Sequence, residues 1–139
     1  SSAASDVYKR QPVIVHDREA HGDTLDILKQ TQPKGVVHCF SGSKEMAADI
    51  IRLGMYIGLN GVATFKNARK SLEVAKAIPI ERLVLETDCP YLAPEPYRGR
   101  RNDSSYIAYI AERLAPELNV SAQELLSITN ENARRLYNM

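Results

Sequence analysis

Three side chains able to hold a metal ion, His16, His38 and Asp88, each stand at the end of a short β-like run. Val13-Ile14-Val15 leads into His16, Val36-Val37 into His38, and Leu83-Val84-Leu85-Glu86-Thr87 into Asp88. Strands of a parallel sheet point the same way, so their C-terminal ends share one face. Ligand-type residues far apart in sequence can therefore meet in one pocket. Imidazole and carboxylate suit divalent first-row ions, and such an ion turns bound water into a nucleophile near neutral pH. The chemistry this pattern would support is metal-dependent hydrolysis.

Strand alternation orders the candidates further. Ile14 and His16 share one face, as do Val36 and His38, and Val84, Glu86 and Asp88 share theirs. If that face lines a barrel interior, His16, His38 and Asp88 crown it. Glu86 then lies one layer deeper, where it would orient a ligating histidine. An unpaired carboxylate at that depth costs several kcal/mol or takes up a proton, and a nearby cation relieves the cost. A lone histidine is more often a satisfied cap or core residue; it is the three together that point to a metal.

Other candidates are weaker. His21 falls in the first turn of a predicted helix near Glu19 and Asp23, and reads as solvated surface. Cys39 and Cys89 adjoin two candidate ligands but read first as small buried hydrophobes in a reduced, cytoplasmic chain, with soft metal ligation second. Arg98-Gly99-Arg100-Arg101-Asn102 is the densest positive run. Such Arg and Asn side chains bind phosphate, so Arg98, Arg100, Arg101 and Asn102 are the candidate substrate-binding residues. The chain has no glycine-rich phosphate loop and no CxxC pair, so nucleotide cofactors and structural zinc are not indicated.

The elements that must position these residues are legible as alternating strands and helices. Strands are predicted over 12–16, 36–39, 55–59 and 82–87. Helices are predicted over 19–31, after a Ser43 N-cap, and between Ala68 and Pro79. A further helix covers 104–115, and Ser121-Ala122-Gln123-Glu124 is a capping box opening a short one. A last short helix covers about 131–137. The connection over 89–102 is long enough to be functional in its own right. The βαβαβαβα order means parallel strands with right-handed crossovers. It fits a small open sheet or half of an eight-unit barrel, which takes roughly 250 residues when complete.

Composition adds bounds. A chain of 139 residues suits one domain. Hydrophobic content of 44% and charged content of 25% are those of a globular protein, which excludes disordered and fibrous classes. Lys+Arg 18 against Asp+Glu 17 leaves +1, so any nucleic-acid contact must be a local patch. No apolar run approaches the roughly 18 residues of a membrane span. Residues 1–11 fit no periodic element and resemble translated adapter sequence, so they are set apart as a non-native or disordered leader. The domain is expected over 12–139.

Four ordered motifs resemble the TatD-like family of metal-dependent deoxyribonucleases. They are Pro12-Val13-Ile14-Val15-His16, His38-Cys39-Phe40-Ser41-Gly42, Glu86-Thr87-Asp88-Cys89-Pro90-Tyr91-Leu92 and Arg98-Gly99-Arg100-Arg101-Asn102. Asn132-Ala133-Arg134-Arg135-Leu136 fits the family's C-terminal helix. The resemblance implies a (β/α)₈ barrel whose divalent cation (Mg²⁺, Mn²⁺ or Zn²⁺) serves hydrolysis of DNA phosphodiesters, often as an exonuclease. It implies that His16, His38 and Asp88 are metal ligands, with Asp88 also helping to take the proton of the attacking water. The family's opening His-x-His and its metal-bridging Glu have no counterpart here, so the expectation is a truncated C-terminal half. Asp103 and Ser104 stand where the family more often has Glu and Pro.

Two other readings compete: a non-enzymatic α/β fragment, and a metal-dependent amidohydrolase, which would not need the arginine-rich loop. Three ligands do not complete a two-ion clamp, so the chain by itself is expected to bind metal weakly and turn over slowly. DNA is the expected substrate and no membrane partner is expected. Open barrel edges predict self-association.

Overall fold

Each β-rich run forms a strand: β1 (Val13–His16), β2 (Gly35–His38), β3 (Tyr56–Leu59) and β4 (Leu83–Leu85). The structure is a computed structural model and describes residues 11–139. The leader expected over residues 1–11 lies, Gln11 apart, outside the described residues. All three pairings are parallel and the strand order follows the chain, β1-β2-β3-β4. A doubly wound sheet reverses its order at a switch point, whereas a barrel does not. The observed order therefore selects the barrel type among the architectures open to the sequence.

Five helices connect and cover the strands: α1 (His21–Thr31), α2 (Lys44–Arg52), α3 (Arg69–Ala77), α4 (Ile107–Leu114) and α5 (Ala122–Tyr137). The Ser43 hydroxyl accepts the Met46 N–H at 3.1 Å and so caps α2, as its position predicts. The main core lies between the sheet and these helices. Val37, Ile57, Leu59 and Leu83 meet Ile50, Val74, Ile110, Leu114 and Leu125 there, all nearly or fully buried.

Three expectations need correction. The two short C-terminal helices are one helix of 16 residues, because Thr129 and Asn132 face inward with their polar atoms satisfied. The predicted fourth strand stops at Leu85, although the Glu86 N–H still donates to the Leu59 carbonyl at 3.1 Å. Helix 104–115 opens with a 3₁₀ turn over Ser104–Tyr106 before α4 proper.

The inner face of the sheet is not bare throughout. Leu136 and Ala133 of α5 pack over Val36 and Val84, which are 2% and 7% exposed. Asn132 ties the same helix to the beginning of β4, donating to the Ile80 and Leu83 carbonyls at 2.8 and 2.7 Å. Ile14 on β1, by contrast, is 63% exposed. No helix among the described residues is long and apolar enough to cross a membrane.

Candidate metal centre

β1 and β2 run side by side in register, with His16 opposite His38 at their C-terminal ends. The two rings meet there, His16 Nδ1 lying 2.8 Å from His38 Nε2 with centroids 5.0 Å apart. One ring nitrogen carries the shared proton and the other accepts it. The remaining nitrogen of His38, Nδ1, lies 3.6 Å from Asp88 Oδ1 and 3.6 Å from Glu86 Oε1. The three residues picked out by strand-end position thus come together, with Glu86 beside them.

Their arrangement is a row rather than a ring. His38 stands in the middle and faces His16 through one nitrogen and the carboxylates through the other. Among the described residues, no group of three His, Cys, Asp or Glu side chains surrounds a common point. The donor set nonetheless fits a divalent first-row ion in its chemistry, with two adjacent imidazoles and a carboxylate at the open end of the sheet. His38 and Asp88 side chains keep 17% and 30% of their surface, so solvent and solutes reach them.

Glu86 occupies the deeper layer that alternation predicts. Its Oε1 accepts the Cys39 N–H at 2.5 Å, across the intervening strand β3. Gly58 makes that crossing possible. A Cβ there would lie 3.2 Å from the Glu86 carboxyl carbon and 3.2 Å from the His38 Cα. Burial pushes the Glu86 carboxyl up from its ordinary value, while the Cys39 N–H and His38 act in the opposite sense. Burial likewise pushes the Cys39 thiol up, against the thiolate that metal ligation requires. Cys89 is exposed rather than buried as expected, because the turn after Asp88 carries it to the surface.

His21 departs from expectation in part. Its Nδ1 lies 2.5 Å from Oδ2 of Asp17, whose side chain is almost wholly buried next to His16. The other Asp17 oxygen accepts the Ala20 N–H at 3.0 Å and so holds the start of α1. The His21 side chain keeps 39% of its surface, so it is solvated as expected in part, and it is also the partner of a buried carboxylate.

The arginine run divides. Arg98, Arg100 and Arg101 are exposed. The Arg98 guanidinium lies 3.9 Å above the Phe65 ring, and both border a cleft with Tyr91 and Arg100. Asn102 is only 2% exposed and donates through Nδ2 to the Tyr91 carbonyl at 2.7 Å. Its backbone N–H donates to the Pro90 carbonyl at 3.0 Å. That residue closes the 89–102 loop on itself and, unlike the three arginines, is buried.

The family model described as TatD related DNase matches residues 2–138. The chain belongs to the TatD related DNase family. It is 46% identical to the uncharacterized metal-dependent hydrolase YabD of Bacillus subtilis over 91% of the chain and 51% of that protein. With the 3'-5' ssDNA/RNA exonuclease TatD of Erwinia tasmaniensis the identity is 36%, over 92% of the chain and 52% of the relative. Among solved structures, the TatD homolog YJJV of Escherichia coli superposes with a TM-score of 0.85 at 32% identity. That match covers 92% of this chain and 50% of the other. The chain spans about half the length of the curated relatives it matches. The resemblance drawn from the four motifs and the α/β fold of barrel type both hold.

Sequence reasoning missed Gly58 as a site residue. A glycine inside a strand often marks the close approach of another group, which was the available signal. Asn60 precedes Gly61 in a pair typical of turns, and its burial could not be read from the sequence.

Proposed function

We propose that the chain carries part of the centre of a divalent-metal-dependent hydrolase acting on phosphodiester bonds of DNA. The observation supporting this most directly is the row His16–His38–Asp88 at the strand ends, with Asp88 leading directly into the loop that carries three exposed arginines. His16, His38 and Asp88 would hold the cation. When bound it supplies positive charge to the phosphate and lowers the pKa of water toward neutrality.

The remaining work falls to the chain's own groups. Glu86 fixes the end of β2 through the Cys39 N–H and faces His38 Nδ1, so it positions a ligand rather than touching substrate. Asp88, the more exposed carboxylate, would take the proton of the attacking water. The Arg98 guanidinium lies over the Phe65 ring and is exposed, so its N–H groups would serve phosphate oxygens. Arg100 and Arg101 add positive charge on the same loop. The DNase name of the family and the exonuclease name of one relative support DNA as the substrate, with removal of terminal nucleotides as the mode.

Thermal melting with Mg²⁺, Mn²⁺ and Zn²⁺, followed by cleavage of an end-labelled single-stranded oligonucleotide, tests this. At least one ion is expected to raise Tm and to stimulate slow cleavage. His38→Ala should abolish the Tm shift, and Asp88→Asn should lower cleavage by roughly a hundredfold or more. A chain whose melting ignores all three ions and whose cleavage survives Asp88→Asn would overturn the reading.

A further inference from the structure

A cleft of about 360 Å³ opens beside the turn that follows Asp88. Its lining includes the rings of Phe65 and Tyr91 and the guanidinium groups of Arg98 and Arg100, and it holds no carboxylate. One face of Phe65 is already covered by Arg98, at 3.9 Å. Tyr91 differs: it is 74% exposed, and no aromatic pair or cation–π contact among the described residues involves its ring. Its backbone, by contrast, is fixed on both sides. The Tyr91 N–H donates to the Asp88 carbonyl at 2.8 Å, and the Tyr91 carbonyl accepts the buried Asn102 amide at 2.7 Å. The next residue, Leu92, has a left-handed backbone at φ 55°, which a leucine holds only where its surroundings impose it. The Leu92 carbonyl packs against Gly61, where a Cβ would overlap it.

A single exposed ring needs no explanation by itself. Tyr91 is instead held on an anchored turn, three residues from a candidate metal ligand, in a cleft shared with two exposed arginines. A free aromatic face beside cations is the combination that holds a single nucleic-acid strand, with bases on the ring and phosphates on the guanidinium groups. An apolar protein segment would match the cleft poorly, because covering Arg98 and Arg100 without an anion costs their hydration. An acidic peptide would use the arginines and leave the ring idle. We infer that Tyr91 is a stacking platform for one base of the DNA strand, seating the nucleotide whose phosphate lies toward Asp88 and the arginines. The inference rests on the DNA reading of the neighbouring centre and deepens it, adding a contact to the base where that reading has contacts to phosphate alone. Stacking uses the face of a base and not its edge, so this contact tolerates any base.

Binding in excess EDTA separates the platform from the metal and from cleavage. The probes are a short oligothymidylate and an oligomer of equal length whose sugars carry no base. Wild type is expected to bind the first more tightly. Tyr91→Ala should weaken oligothymidylate binding about tenfold or more, the range that base–aromatic stacking supplies, and leave the baseless oligomer unchanged. Tyr91→Phe should bind as wild type does, because the ring face and not the hydroxyl makes the contact. Arg98→Ala should weaken both probes and flatten the salt dependence of binding, which Tyr91→Ala leaves alone. The chain has no tryptophan, so the fluorescence of Tyr91→Trp reports on this position alone. Oligothymidylate should quench it and the baseless oligomer should not. Tyr91 is exposed, so its variants are expected to melt with wild type, and matched Tm values check that the fold is intact. Equal wild-type binding of the two probes, no binding of either, or a Tyr91→Ala loss that is absent or equal on both would overturn the platform. The wild-type comparison applies even if a variant does not fold. Failure here leaves metal-stimulated cleavage intact, while failure of the metal reading leaves a Tyr91-dependent base preference in EDTA untouched.

Discussion

Glu86 reaches from the end of β4 to the end of β2, and it can do so because the strand between them carries no side chain at Gly58. Adding one methyl group there would press on the Glu86 carboxyl and on the His38 backbone together, at 3.2 Å from each. Gly58→Ala is therefore expected to lower stability by about 1–3 kcal/mol, the usual cost of overpacking. It should also weaken any metal-induced rise in Tm, because His38 loses the group that faces its Nδ1. Denaturant melts with and without Mn²⁺ measure both effects. A variant as stable as wild type, with an unchanged metal response, would mean that Glu86 does not position His38. At this scale the sequence was informative where strand direction alone placed a residue: His16, His38 and Asp88 end their runs, so parallel pairing brings them together. The burial of Asn102 and the carboxylate partner of His21 were not legible, because they depend on how a loop closes and on a buried Asp17, which no local spacing reveals.

Among the elements, α5 does most to complete the sheet. Its capping box, with the Ser121 side chain accepting the Glu124 N–H and Glu124 returning to the Ser121 N–H, was visible in the sequence. Its full length was not. Asn130, just before the last predicted helix, and Asn132, in its first turn, are poor helix formers, since asparagine competes for backbone hydrogen bonds. Asn132 instead sends its amide to the Ile80 and Leu83 carbonyls and accepts from Arg135. Truncation by Asn132→Ala would strip the amide from the Leu83 carbonyl, while the Ile80 carbonyl keeps the Leu83 N–H, so a loss of about 1–3 kcal/mol in urea unfolding is expected. A loss below a few tenths would show the clamp to be dispensable.

A second tie between elements sets a pH dependence. Glu117 bonds Lys76 of α3 at 2.7 Å and Arg113 of α4 at 3.2 Å. Lys76 first and Arg113 second hold its carboxyl below the usual glutamate range. A carboxylate with a depressed pKa in the fold adds stability that is present above its ordinary pKa, about 4.3, and lost as pH falls through the depressed value. Wild type should therefore melt above Glu117→Gln at pH 7, with the two converging in acid. Equal melting temperatures at pH 7 would remove this pair from the account of stability.

Over the whole molecule, the two edges of the sheet are unlike. At β4 the Asn132 clamp and the Leu136 cover engage backbone and apolar surface that the open-edge expectation left exposed. At β1 no described strand pairs beyond Val13–His16, and Val13 and Ile14 are 39% and 63% exposed. Ile27 of α1, 58% exposed, borders the same groove along β1. An edge strand with apolar side chains is a template for further pairing, and contiguous apolar surface beside it favours association. The architecture was readable from alternating elements and their order, but which edge would be covered depended on a long-range contact of α5. The chain is therefore expected to associate as concentration rises, through β1 and not through β4. Sedimentation velocity over a tenfold concentration range should show the average mass increasing for wild type. Ile14→Lys, a charge on an exposed edge position that leaves the core untouched, should hold the chain nearer to monomer. Association unchanged in Ile14→Lys would move the contact away from β1, and a wild-type monomer at every concentration would show that this edge is quiet despite its exposed apolar side chains.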